Sequence, residues 1–179
     1  QEAAARALAA PWLTEDERKD LRIFHGAWDE ADLDSPARRA AAALMTWRLD
    51  DASLHDPATP VELRAEAAMR RGELEPALEL LEDASSIRAG RLRAQALEAL
   101  GRMEDADTAV TAPAARLQQA VLNAPDLVDG VLALQVRARV QGQPARDFQT
   151  MLTLLGRAHQ DLDRLYWPGR LAEAELLLE

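Results

Sequence analysis

Two stretches of this chain nearly superimpose after a shift of 29 residues, 63–77 on 92–106. Leu63 falls on Leu92, Arg64 on Arg93, Ala65 on Ala94, Ala67 on Ala96, Gly72 on Gly101 and Ala77 on Ala106. Self-similarity at this scale marks a stack of helical hairpins, because one hairpin cannot bury its apolar face alone and has to lean on its neighbours. Composition agrees. Alanine, leucine, glutamate and arginine dominate, all good helix formers. Val, Ile, Thr and aromatics, which favour strands, are scarce. The expected fold class is all-α, in a single domain over residues 1–179.

Helix punctuation is regular. Thr14-Glu15-Asp16-Glu17 reads as a capping box opening a helix to His25. Ser35-Pro36 and Thr59-Pro60 place a capping residue before a proline, predicting helices from Pro36 to Asp50 and from Pro60 to Arg71. Pro76, Pro113, Pro125 and Pro144 mark further helix starts, with one long helix from Pro144 to Trp167. Glycines 26, 72, 101, 142 and 169 mark turns. About ten helices are expected, with Asp50 to Thr59 the longest loop.

Around four of those glycines the pattern recurs: glycine, a large apolar residue two later, alanine five later. The sets are Gly26/Trp28/Ala31, Gly72/Leu74/Ala77, Gly101/Met103/Ala106 and Gly169/Leu171/Ala174. The apolar residue would plug the hairpin corner and the alanine would let the second helix approach the first. Ala65 and Ala94 seven before the glycine, Ala68 and Leu97 four before, and Leu81 and Val110 beyond it extend the pattern. In these residues the chain resembles the tetratricopeptide repeat (TPR) family. The repeats are unequal, with turn glycines 46, 29, 41 and 27 residues apart, and arginine (Arg64, Arg93) stands where the family has leucine.

The resemblance implies an alpha-alpha superhelix, a TPR-like solenoid of antiparallel hairpins. Its inner helices would line a concave groove that grips an extended peptide or partner helix. Carried over residue by residue, it puts Arg88, Arg91 and Gln95 on that face from Gly101, Glu62, Glu66 and Arg70 from Gly72, and Arg139 from Gly142. The candidate partner-binding residues are therefore Arg70, Arg88, Arg91, Gln95 and Arg139, offering guanidinium forks to a partner's carboxylates.

Chemistry-bearing motifs are absent. There is no cysteine, and His25, His55 and His159 lack the helical spacing of metal ligands. Ser35 and Ser86 read as helix caps, not nucleophiles; no nucleophile elbow or phosphate loop occurs. No catalytic residue, metal or cofactor is expected. Trp28 and Trp47 read as packing residues, while Trp12 and Trp167 lie near the chain ends. A formal charge of −10 argues against nucleic acid, and no apolar run is long enough to span a bilayer. Twenty of the 21 basic residues are arginine, as a GC-rich genome gives. Gln1 and the apolar run before Glu179 lead to the expectation of a piece of a longer, bacterial-type polypeptide. The expected function is a non-catalytic scaffold for a protein or peptide partner. The alternative is a structural repeat packing on another domain of the same polypeptide, such as an enzyme.

Overall fold

The caps read at Thr14, Ser35 and Ser86 each open a helix. The computed structural model describes residues 11, 13–117, 124–143 and 147–162. Expectations for Trp12, Pro144 and the 163–174 stretch, and for the His159 side chain, fall outside what is described. Among the described residues there are eight α-helices, two 3-10 turns and no strand. The chain divides into two compact units, residues 1–80 and 81–179.

The first unit opens with α1 (Glu15–Phe24), whose capping box forms as expected: Thr14 Oγ1 accepts from Glu17 N–H while Glu17 accepts from Thr14 N–H. A 3-10 turn over Glu30–Asp32 follows. The Gly26 copy of the repeat therefore makes no hairpin, and Ala31 is exposed. The reason is local: Asp29 caps the Ala31 and Asp32 N–H groups, and Asp32 turns back to Arg22 at 2.5 Å. Helix α2 (Pro36–Met45), capped by Ser35, stops five residues short of the expected Asp50. After a 3-10 turn at Ala52–Leu54 come α3 (Val61–Arg70) and α4 (Leu74–Leu81). Thr59 does not cap α3. Its hydroxyl is buried and donates to Ser53 O, which ties down the loop. Ala40, Ala43, Leu44, Leu54, Leu63 and Ala67 pack into one buried cluster of this unit. Salt bridges from Lys19 to Asp34 and from Arg38 to Asp16, Asp20 and Asp34 link α1 to α2 and the turn before it.

The second unit holds α5 (Ile87–Ala99), α6 (Met103–Arg116), α7 (Ala124–Val140) and α8 (Phe148–Leu162). Its helix directions follow from pairs of contacts. Arg91 meets Asp129 near the starts of α5 and α7, and Glu98 meets Arg139 near their ends, so these two helices run parallel. Asp107 meets Gln141, and Arg116 reaches Ser85 O, so α6 runs the other way. Leu127, Val131, Leu134, Met151 and Leu155 form a core in which each is almost fully enclosed. Burying side chains of this size contributes about 1.5–3 kcal/mol apiece.

Pro113, expected to start a helix, lies inside α6. Its ring fills the space over Gly90 of α5, where an added Cβ would sit 2.2 Å from Pro113 Cγ. The proline is kept inside the helix by this close approach. Arg93, the repeat's substitute for leucine, donates to Leu81 O and Ala84 O. It thus satisfies backbone carbonyls of the 81–84 segment that leads into α5.

Candidate interaction surfaces

Around Gly72 and Gly101 the small and apolar positions of the repeat are buried, whereas Ala31 in the Gly26 copy is exposed. Ala65, Ala77, Ala94, Ala106, Leu81 and Val110 have no exposed surface, and Ala68 and Leu97 nearly none. The corner positions behave differently. Trp28 and Leu74 are half-buried, but Met103 is 46% exposed and plugs nothing.

The five candidate arginine and glutamine positions separate into two places. Arg91, Gln95 and Arg139 fall along the α5/α7 seam. Arg91 is buried, donates from Nε to Asp129 at 2.7 Å, and donates from Nη1 to Gln95 Oε1 at 2.7 Å. Arg139 grips Glu98 with two bonds of 2.9 and 3.0 Å. Arg88 is half-buried on the first turn of α5. Each seam guanidinium with a defined partner thus faces a carboxylate of its own chain. The result is a mixed-charge ladder across two parallel helices, in place of a row of unneutralised cations. Asp129 and Glu98 were missed in the sequence because they lie 38 and 41 residues from their partners, beyond any local spacing rule.

Arg70 belongs to the first unit and has a different setting. Its Nη2 donates to Glu66 at 2.6 Å, its Nη1 donates to Leu44 O at 2.8 Å, and its guanidinium carbon lies 5.1 Å from the centre of the Trp47 ring. Trp47 does not pack as the sequence suggests: it is 68% exposed. The cause is that α2 ends at Met45, so Trp47 falls past the helix at φ 56 and its ring leaves the apolar side.

Burial holds the His25 imidazole at the end of α1 below its usual pKa. No cluster of His, Asp or Glu among the described residues is arranged to hold a metal ion. No helix among them is long and apolar enough to cross a membrane. Comparison of the chain with protein-family models, with curated proteins and with solved structures gives no match.

Proposed function

We propose that the chain is a non-catalytic protein-interaction module whose hairpins are built and stacked in the manner of TPR-like repeats, and that the α5/α7 seam receives a peptide or helix of a partner protein. The observation that carries this reading is the pair of parallel helices bridged at both ends by Arg91–Asp129 and Arg139–Glu98. Repeating a helix in the same direction beside its predecessor is how stacked hairpins create a continuous recognition surface. The ladder shapes what such a surface recognises. A part-buried pair such as Arg91–Asp129 fixes geometry, whereas Arg139, with 42% of its side chain exposed, remains reachable at the rim. The partner segment is accordingly expected to present both signs of charge, set in register with the ladder.

The test is an exchange of charge. Arg139→Glu combined with Glu98→Arg keeps the internal pair but reverses its polarity. Cross-linking in lysate of the source organism, followed by mass spectrometry, identifies partners of the native chain. The expected result is a partner whose cross-links map to α5 and α7 and disappear in the double variant, with the thermal midpoint unchanged. A partner retained equally by the exchanged protein removes the seam from consideration.

A further inference from the structure

Among the described residues, five helix ends close with the same pair of hydrogen bonds. After α1, α2, α3, α5 and α7, one residue takes a positive φ, and the N–H beyond it returns to the carbonyl five positions back. Gly26, Gly72, Gly101 and Gly142 fill that position at four ends. At the fifth it is Trp47, whose N–H reaches Leu44 O at 3.3 Å while Arg48 N–H reaches Ala43 O at 2.9 Å. An L-residue that carries a Cβ is disfavoured in this left-handed conformation. The local strain is not recovered by burying the indole, which is among the most exposed large apolar side chains described.

The surrounding residues fix this arrangement. Arg70 donates to Leu44 O on one side of Trp47, and Arg71 donates to Leu49 O at 2.8 Å on the other. Two arginines of α3 and its cap thus anchor the backbone on both flanks of the strained residue, and the Arg70 guanidinium lies against the ring. The aromatic is held out in a set orientation at a cost in backbone strain, and strain that persists under such restraint points to recognition. An aromatic anchor ordered before contact is also what a binding hot spot requires.

We propose that Trp47 is the anchor of a docking site for a basic, arginine-containing segment of a partner protein. Charge decides the partner's sign. Residues 1–80 contain 17 acidic and 10 basic side chains, a net −7 of the chain's −10. Such a field draws cationic segments and repels acidic ones. The indole face has the electronegative quadrupole that accepts a guanidinium, as Arg70 already demonstrates. Glu66, 2.6 Å from Arg70, offsets the charge of the resident cation and lessens its repulsion of an incoming one. The inference rests on the reading of the chain as an interaction module, but its site is not the α5/α7 seam.

The experiment follows the indole N–H signals of the 15N-labelled chain, with Trp47 assigned by its loss in W47G. The probe is a capped nine-residue peptide alternating Arg and Gly; its counterpart alternates Glu and Gly. The expected result is a saturable shift of the Trp47 signal with the Arg peptide and none with the Glu peptide. Affinity should fall about tenfold in W47G and be largely kept in W47Y, which retains a ring. Equal binding by W47G overturns the proposal, and so does a Trp47 signal unmoved by the Arg peptide. A Trp47 shift produced by raising protein concentration alone assigns the site to a second copy of the chain and also overturns it. The Arg139/Glu98 exchange serves as the separate control. Loss of a cross-linked partner there with a silent Trp47 sinks this inference and leaves the module reading standing.

Discussion

The α5–α6 hairpin and the α2–α3 connection begin with the same helix cap and then diverge. After α5 the chain reverses in three residues, Leu100, Gly101 and Arg102, and α6 lies straight back along its predecessor. After α2 it takes 15 residues to reach α3, through a 3-10 turn and a buried hydroxyl bond from Thr59. The first connection is secured by apolar interlock: Pro113 over Gly90, Ala94 against Val110. The second is secured by hydrogen bonds from Arg70, Arg71 and Thr59 to backbone carbonyls. Within this connection Leu54 and Thr59 are buried, while Trp47 near its start is 68% exposed.

The strongest way to break this contrast is to spoil the interlock. Gly90→Ala puts a methyl carbon 2.2 Å from Pro113 Cγ and 3.2 Å from its Cδ, and a proline ring cannot rotate aside. The expected loss is about 2–3 kcal/mol in urea unfolding, the range of an overpacked core. Gly130→Ala meets Leu117 Cδ2 at 2.3 Å, but a leucine can change rotamer, so its loss should be about 1 kcal/mol. Equal losses at the two sites would mean that α6 shifts as a body, and that the Pro113–Gly90 contact does not hold the hairpin.

A sharper comparison sets the two caps against each other. At Gly101 (φ 76) an added Cβ meets no atom within 4 Å, so Gly101→Ala tests backbone conformation alone and should cost about 1 kcal/mol. Trp47→Gly relieves the same conformation and gives up the Arg70 contact. It should leave stability unchanged or raise it by up to about 1 kcal/mol. Unfolding midpoints of the two variants should therefore move apart. A clear loss in Trp47→Gly would return the indole to a packing role.

The helical class and most boundaries were legible because caps and turn glycines act locally. Thr14, Ser35 and Ser86 each bond the N–H three residues on, as their positions in the sequence imply. Small buried residues were legible for the same reason, since Ala65, Ala94 and Ala106 sit at fixed offsets from a glycine. What failed depends on distant partners. Pro113 reads as a helix breaker until Gly90 is placed beneath it. Met103 and Trp47 read as core until the turn is seen to carry them outward. The arginines read as open cations, because nothing in the sequence pairs residue 91 with 129 or 139 with 98. The length of α2 was overread for a related reason: a helix that ends on a tryptophan in the left-handed conformation gives no glycine to mark its end.

The smallest effect concerns the polar fastening of the first unit, and its sign can be worked out. Lys19 Nζ lies 2.5 Å from Asp34, and Arg38 Nη1 lies 2.8 Å from it. Hydrogen bonding first to Lys19 and then to Arg38 lowers the Asp34 carboxyl from its ordinary 3.8 to about 2. In the unfolded chain it titrates at the ordinary value. The folded form therefore holds the carboxylate more strongly, and this stabilisation is complete above about pH 4 and lost as pH falls toward about 2. Asp32, Asp51, Glu17 and Glu73 are also lowered, so the native chain alone does not isolate the contribution. Asp34→Asn does. The difference in urea midpoint between native and Asp34→Asn protein should be greatest near neutrality and shrink through that acid window. It should also weaken with added salt, because the pair is exposed. A difference that stays constant from pH 6 to pH 2 would show that the junction of α1 and α2 does not depend on these ion pairs. The contrast between a polar-fastened first unit and an interlocked second would then have to rest on the 46–60 connection by itself.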